Sequence, residues 1–128
     1  MGPKYSNIRR MNDPSEIVLR SYSIGIDLGG HGLRGVLVSS SGEVLADKKL
    51  RLSESERALE EVEAKILDIL DELRKDSPDV EDTGIGFGVP GFIEGGSGLL
   101  RSSPNFPGWV DIPLVDHLSG LAGQPVAL

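Results

Sequence analysis

Alternating apolar and polar positions predict short strands in the first half of the chain. The alternation starts in Tyr22-Ser23-Ile24-Gly25-Ile26-Asp27 and returns in Leu33-Arg34-Gly35-Val36-Leu37-Val38. A polar turn at Ser39-Ser40-Ser41-Gly42 follows, and a third strand is expected from Glu43 to about Leu52. Successive side chains of a strand point to opposite faces, so each segment is typical of a strand with one buried face. Short turns between the segments predict three consecutive antiparallel strands.

A change of apolar period after Leu52 predicts a helix. Ser53-Glu54-Ser55-Glu56 has the form of a capping box, so we expect the helix to begin there. Apolar residues then recur at spacings of three and four and form one stripe that faces the sheet: Leu59, Val62, Ile66, Ile69 and Leu73. Asp76-Ser77-Pro78 is expected to end the helix.

The second half of the chain alternates strands and helices. Residues 83–88 and 98–102 predict short strands, and residues 111–118 predict a helix with Asp111 near its N-cap and Pro113 in its first turn. Another strand begins at residues 125–128. This order predicts an α/β fold with a mixed sheet and helices packed on it. Residues 1–21 show no clear period and are interpreted as an arm or leader ahead of a single lobe, residues 22–128.

Composition narrows the class of protein. A chain of 128 residues suffices for one domain or one lobe. The absence of cysteine excludes a disulfide framework, a thiolate metal site and a cysteine nucleophile, and it fits a cytoplasmic location. The net charge of -7 argues against nucleic acid as a partner, and no apolar stretch has the length of a membrane span. We therefore expect neither nucleic acid nor a membrane as partner.

The glycine-dense turn after the first strand is a candidate anion site. Asp27 closes that strand and precedes Gly29-Gly30-His31-Gly32, where missing Cβ atoms let backbone N–H groups approach an anion closely. A carboxylate beside a polyphosphate would repel it unless Mg²⁺ lay between them, held through water. The alternative is a tight hairpin turn in which Asp27 caps amides. The residues by themselves leave both interpretations open.

Two other motifs match known patterns in residue type but not in context. Gly86-Phe87-Gly88-Val89-Pro90-Gly91 satisfies the glycine spacing of a dinucleotide site, but the residues after it lack the helical period that such a site needs. Asp116, His117 and Ser119 supply the residue types of a catalytic triad, but they crowd one helix end. We expect no dinucleotide site here and a surface position for His117.

Three segments in order carry a resemblance to a known family: Ile24-Gly25-Ile26-Asp27-Leu28-Gly29-Gly30, then Gly88-Val89-Pro90-Gly91, then Ser103-Pro104-Asn105-Phe106-Pro107-Gly108-Trp109. Together they resemble the N-terminal lobe of ROK (repressor, open reading frame, kinase) sugar kinases, especially glucokinase-like members. The resemblance implies the actin-like ATPase (RNase H-like) fold. It also implies ATP- and Mg²⁺-dependent phosphorylation of a hexose, with glucose the expected substrate, in a cleft between two lobes.

The resemblance assigns the first phosphate loop to Asp27, Gly29, Gly30, His31 and Gly32, with Asp27 facing Mg²⁺ through water. Members of the family typically carry Thr-Lys, or Thr with another polar residue, where this sequence has His31-Gly32, so the threonine hydroxyl and the local positive charge are missing. A protonated His31 would replace a phosphate donor, although an imidazole is mostly neutral at pH 7. Two interpretations of His31 stay open. Either it contacts phosphate, or it is an exposed residue of the turn. Arg34, on the second strand, is interpreted as structural.

The resemblance places the sugar at Gly91 and Asn105, with Ser103 as a weaker candidate. A side-chain amide both donates and accepts hydrogen bonds, which suits the hydroxyl groups of a sugar. Without the resemblance, residues 103–108 would be interpreted as ordinary turns and Trp109 as a packing anchor.

Much of the family's catalytic machinery is expected beyond Leu128, including the general-base aspartate, the zinc motif, the second phosphate loop and the adenosine-binding lobe. We therefore expect no catalytic residue in this chain, little activity by itself, and phosphoryl transfer by a full-length parent. The alternative is a noncatalytic sugar sensor or regulator, for which the residues before Tyr22 are too few to form a winged helix. A homo-oligomer or a separately encoded second lobe is an expected partner, because it would cover a cut sheet edge.

Overall fold

The computed structural model describes residues 8–10, 17–19, 22–75 and 82–128. The strands and helices in chain order are β1 (Ile8–Arg10), β2 (Ile17–Leu19), β3 (Tyr22–Leu28), β4 (Gly32–Ser39), β5 (Val44–Arg51), α1 (Leu59–Lys75), β6 (Asp82–Gly88), β7 (Phe92–Glu94), β8 (Leu99–Ser102), β9 (Ile112–Pro113) and α2 (Leu114–Ala122). The strands form a central sheet of order β5-β4-β3-β6, a smaller sheet of order β7-β8-β9, and the pair β1-β2. The interpretation of residues 1–21 as an arm stays a prediction, as does the boundary at residue 22.

The central sheet is mixed. β4 pairs antiparallel with both β3 and β5, whereas β6 pairs parallel with β3. The prediction of three consecutive antiparallel strands is confirmed. The strand expected at residues 125–128 contributes one parallel bridge beside β6, where the Phe87 N–H donates to the Ala127 carbonyl at 2.8 Å and the Ala127 N–H donates to the Ile85 carbonyl at 3.0 Å.

α1 covers one face of the central sheet. Buried side chains of β3 alternate with more exposed ones, and the buried set is Tyr22, Ile24, Ile26 and Leu28. The apolar stripe predicted for α1 is confirmed, since Val62, Ile66, Ile69 and Leu73 are buried and Leu59 is partly buried against the core. Leu70 is buried as well, which the sequence did not predict. Gly35 in β4 lets α1 pack closely, because a Cβ there would lie 2.8 Å from Leu73 Cδ1 and 3.2 Å from Ile69 Cδ1 and those side chains would have to shift. The helix therefore fixes which face of the sheet is buried.

The opposite face of the central sheet carries glycines and polar residues. Strand pairing places Asp27 beside Arg34 on one side and Gly88 on the other, and both Asp27 and Arg34 are exposed. Gly86 lies on the same face, and a Cβ added to it would meet no atom within 4 Å. This open face, together with the turn at its end, holds the predicted phosphate residues.

α1 begins at Leu59, so the predicted start at Ser53 is wrong. Residues 53–56 form a separate turn, in which the Glu56 carboxylate accepts from the Ser53 N–H at 3.0 Å and from the Ser53 hydroxyl at 2.9 Å. The Ser53 hydroxyl donates to Glu56 and contacts the Ser55 hydroxyl, and within residues 22–75 and 82–128 it accepts no hydrogen bond from an amide of α1. The predicted end at Asp76-Ser77-Pro78 lies outside the described residues, and α1 ends at Lys75.

α2 begins at Leu114, so the helix start predicted at Asp111 is wrong. Asp111 adopts a φ of 51°, and the next two residues pair with β8 as β9 before the helix starts. Pro113 stands at the N-cap position without a side-chain hydrogen bond. The residues that were expected to form the first turn of the helix therefore pair in a sheet instead.

The structure also contains β7, which pairs antiparallel with β8 and which the sequence did not predict.

Candidate functional site

The turn between β3 and β4 brings the backbone of the predicted phosphate loop close to the end of β5. The Gly29 N–H donates to the Gly32 carbonyl at 2.8 Å, and the Leu52 N–H donates to the His31 carbonyl at 2.9 Å. A Cβ at Gly32 would overlap the Leu50 carbonyl oxygen and lie 3.3 Å from Arg51 Cα. Glycine is therefore required at this position by the close approach of two backbones.

Asp27 is the carboxylate nearest to this turn in sequence, and it projects from the open face. Its Oδ1 lies 3.3 Å from the position that a Gly88 Cβ would occupy. Within residues 22–75 and 82–128 the Asp27 side chain has no hydrogen bond or ion pair. Mg²⁺ prefers oxygen ligands and keeps several waters, so one exposed carboxylate fits an ion held through water and phosphate oxygens. In the described part of the chain, no three His, Cys, Asp or Glu side chains are grouped so as to hold a metal by themselves.

Two open depressions meet at Asp27. One, of about 460 Å³, is lined by the whole predicted loop and by Lys49 and Arg51 of β5. The other, of about 630 Å³, extends across the open face over Gly25, Gly86 and Gly88. Their sizes are in the range of small-molecule sites. Lys49 and Arg51 were not singled out from the sequence, although strand alternation and antiparallel pairing with β4 carry the signal.

Arg34 has the structural role expected from the sequence. Its Nε donates to Asp47 Oδ1 at 3.0 Å and its Nη2 donates to Oδ2 at 2.6 Å, which is a bidentate pair on the open face. This hydrogen bonding raises the pKa of Arg34 and lowers the pKa of Asp47 from their ordinary values. The pair therefore stays ionised and joins β4 to β5.

The predicted sugar residues Ser103 and Gly91 lie together. Ser103 is buried, and its hydroxyl donates to the Pro90 carbonyl at 2.5 Å. A Cβ at Gly91 would lie 2.6 Å from both Leu100 Cδ1 and the Ser102 carbonyl oxygen. Because Ser103 is buried and makes this hydrogen bond, it stabilises the loop that carries Gly91. Sugar contact by either residue stays a prediction.

Asn105 joins the predicted sugar side to the predicted phosphate side. Its side chain lies directly against Gly30, where an added Cβ would overlap Asn105 Nδ2. Asn105 is otherwise exposed. The two candidate half-sites therefore meet at this contact, with an amide from one half beside the backbone of the other.

The loop that carries Asn105, residues 103–109, is held by aromatic packing and by one arginine. Phe106 and Trp109 are buried and stacked, with ring centroids 4.3 Å apart. The Trp109 Nε1 donates to the Arg57 carbonyl at 3.1 Å, and the Arg57 guanidinium lies 5.9 Å from the centre of the Phe106 ring. The packing role expected for Trp109 is present in the structure.

Residues 23–128 match the ROK family. The chain belongs to the ROK family. It is 38% identical over 105 residues to the glucokinase of Thermotoga maritima, a match that covers 82% of this chain and 32% of that protein. It is 33% identical over 95 residues to the xylose repressor of Caldicellulosiruptor bescii, covering 71% of this chain and 23% of the repressor. The crystal structure of the ROK hexokinase from Thermus thermophilus is similar, with a TM-score of 0.71 and 25% identity over 84% of this chain and 34% of that one.

Membership of the ROK family confirms the predicted resemblance, and the similarity to the hexokinase structure confirms the predicted α/β actin-like fold. This ROK chain spans about a third of the length of the Thermotoga glucokinase and of the Thermus hexokinase. Its relatives include a kinase and a repressor, so the family by itself does not fix the substrate. The roles of the site residues in this ROK chain stay predictions.

The dinucleotide-like glycine motif and the triad-like residues of this ROK chain are not arranged as those sites require. The segment after Gly91 forms β7 and a turn rather than a helix, so it lacks the context of a dinucleotide site. His117 is partly exposed with its Nδ1 3.4 Å from Glu63 Oε2, and the Ser119 hydroxyl accepts from the Val126 N–H. Neither α1 nor α2, the two helices of the described residues, is long and apolar enough to span a bilayer.

Proposed function

We propose that this ROK chain is the N-terminal lobe of an ATP-dependent hexose kinase, with glucose as the substrate. The proposal assigns phosphoryl transfer to the whole kinase and the binding of sugar and phosphate to this lobe. The cytoplasm, where ATP and free hexose meet, is the proposed location. The choice of glucose is supported by the 38% identity with a glucokinase.

The observation that carries the proposal is the contact between Asn105 and Gly30. A kinase must hold the acceptor hydroxyl and the transferred phosphate next to each other, because positioning supplies most of the rate. A sugar held by Asn105 would lie beside a phosphate held at residues 29–32. A binding site for one ligand alone would not need these two loops in contact.

The proposed phosphate half consists of the turn at residues 29–32 and Asp27. The Gly29 N–H is already bonded to the Gly32 carbonyl, so an anion would be met by the other backbone N–H groups of the turn. Asp27 would orient Mg²⁺ through water, and the ion would neutralise charge on the phosphates. His31 is exposed at the same depression, and we propose it as a supplementary donor.

The proposed sugar half is the loop at residues 103–109 with Gly91. Asn105 offers an amide donor and acceptor to sugar hydroxyls, while Ser103 acts through its hydrogen bond to the Pro90 carbonyl. Sugar sites combine such polar groups with aromatic packing, which Phe106 and Trp109 provide beneath the loop.

Trp109 is the single tryptophan of the sequence and permits a direct test of hexose binding. We expect glucose to change its emission saturably, and Asn105→Ala to weaken the affinity about tenfold, since an amide makes one or two hydrogen bonds to a sugar. Gln124→Ala removes an amide after α2 and serves as the matched control. A wild-type chain that shows no response to glucose by emission or calorimetry would contradict the proposal, as would equal affinity in Asn105→Ala.

The second candidate function is a noncatalytic sugar-sensing regulator, which the match to the xylose repressor favours. The two candidates differ in their dependence on nucleotide. A kinase lobe binds Mg²⁺-nucleotide at residues 29–32, whereas a sensor binds sugar without it. Saturable binding of xylose in place of glucose, with no effect of Mg²⁺-ADP, would favour the regulator.

A further inference from the structure

The turn at residues 29–32 lacks a permanently charged side chain, although a polyphosphate carries several negative charges. Its one ionisable residue is His31, and the whole chain has a net charge of -7. A phosphate site in such a chain needs a local source of positive charge, because long-range repulsion acts against the anion. The neighbouring strand β5 carries two such charges.

Strand register places Lys49 and Arg51 at the turn. Antiparallel pairing sets Gly32 opposite Arg51 and Arg34 opposite Lys49. Alternation along a strand puts residues two apart on one face, so Lys49 and Arg51 share the open face with Arg34. Both cations line the depression of about 460 Å³ that also contains Asp27 and the loop glycines.

Both side chains are available to a ligand. Lys49 and Arg51 are exposed, and neither forms a hydrogen bond or a salt bridge within residues 22–75 and 82–128. Arg34 differs, because its guanidinium is engaged by Asp47. Lys49 is close enough to Asp47 to contribute to the lowered pKa of that carboxyl, although the pair with Arg34 dominates. The three cations outnumber the two carboxylates on this patch, which leaves it with an excess of positive charge.

We propose that Lys49 and Arg51 bind the phosphate oxygens of a polyphosphate or nucleoside polyphosphate whose anion sits on the turn at residues 29–32. Arg51 offers a planar fork to two oxygens and Lys49 a flexible point charge. The two cations take the electrostatic role of a lysine within the loop. The inference rests on the proposed function only in locating the phosphates at this turn.

The test is a titration of ¹⁵N-labelled chain with tripolyphosphate and, separately, with ADP, each with Mg²⁺, followed by the amide signals of Gly29, Gly30 and Gly32. We expect Lys49→Gln and Arg51→Gln each to weaken binding about tenfold at low salt, and the double variant more. Lys49→Arg and Arg51→Lys keep the charge and are expected to restore most of the affinity. Lys75→Gln, in the last turn of α1, is the control for loss of one positive charge.

Each outcome decides the inference. Equal affinity in the double variant and the wild type would overturn it, and so would a wild-type chain whose loop amides do not respond to tripolyphosphate. The glucose response of Trp109 is expected to be unchanged in the double variant, because both cations lie outside the sugar loop. If tripolyphosphate binds through Lys49 and Arg51 but glucose never binds, the proposed function fails and this inference stands.

Discussion

The two candidate half-sites are built in different ways. The candidate phosphate turn at residues 29–32 is shaped by backbone packing, since Gly32 and Gly30 lie against Leu50 and Asn105 and its one side chain, that of His31, is exposed. The sugar loop at residues 103–109 is shaped by side-chain packing, with Phe106, Trp109 and Ser103 buried. We therefore expect a side-chain atom added to the turn to destabilise it. We expect the loop, in contrast, to be destabilised by removal of a buried ring.

Removing a buried ring from the sugar loop is expected to have the largest effect on stability. Phe106 is fully buried and stacks on Trp109. Phe106→Ala should lower the free energy of unfolding by about 3–5 kcal/mol, because it removes apolar contacts and leaves a cavity. Urea denaturation followed by Trp109 emission measures the loss. Phe92→Ala is the control, since Phe92 is 70% exposed and its loss is expected to matter little. A loss below about 1 kcal/mol for Phe106→Ala would contradict the account of the loop.

Adding one methyl group to the phosphate turn is expected to have the next largest effect. Gly32→Ala forces the turn away from the Leu50 carbonyl, at a cost of about 1–3 kcal/mol for the overpacked contact. Tripolyphosphate binding is expected to fall with it, while the glucose response of Trp109 changes less. Gly86→Ala adds the same methyl group where no atom lies within 4 Å, and it is expected to be nearly neutral. Equal stability of the two variants would show that the turn is not set by this close approach.

The turn at residues 53–56 gives the smallest expected effect, and the effect depends on pH. Hydrogen bonds from the Ser53 N–H and hydroxyl lower the pKa of Glu56 below its ordinary value. A lowered carboxyl pKa stabilises the folded chain above the unfolded pKa, and the stabilisation is lost as pH falls through the folded pKa. The difference in stability between the wild type and Glu56→Gln is therefore expected to shrink below about pH 4.5, as measured by denaturation between pH 6 and pH 3. A difference independent of pH would contradict this assignment.

Local sequence patterns predict the parts of the fold that depend on nearest neighbours. The alternation in Tyr22-Ser23-Ile24-Gly25-Ile26-Asp27 and the apolar stripe of α1 follow from which face is buried, and both are confirmed. The predicted starts of both helices were wrong, because local patterns do not show whether a segment continues as a helix or forms a separate turn or strand. Ser53 binds Glu56 in a separate turn, and the residues before Leu114 pair with β8.

The residues of the candidate site also differ in whether a local sequence pattern can identify them. Asp27 and the loop glycines stand in one short motif, so their chemistry is readable from the sequence. Lys49 and Arg51 reach the site only through the register of β4 and β5, which includes an irregularity between Leu37 and Val38. The contact of Asn105 with Gly30 joins residues far apart in the chain, and only the tertiary structure reveals it.

The proposed sugar and phosphate sites meet where Asn105 lies against Gly30. Their meeting is tested by two titrations of the ¹⁵N-labelled chain, one with glucose and one with Mg²⁺-tripolyphosphate, that follow the Asn105 side-chain amide and the Gly30 backbone amide. We expect each ligand to shift both signals and to change the affinity for the other. Two ligands that perturb separate sets of residues, with Asn105 silent to tripolyphosphate and Gly30 silent to glucose, would contradict it.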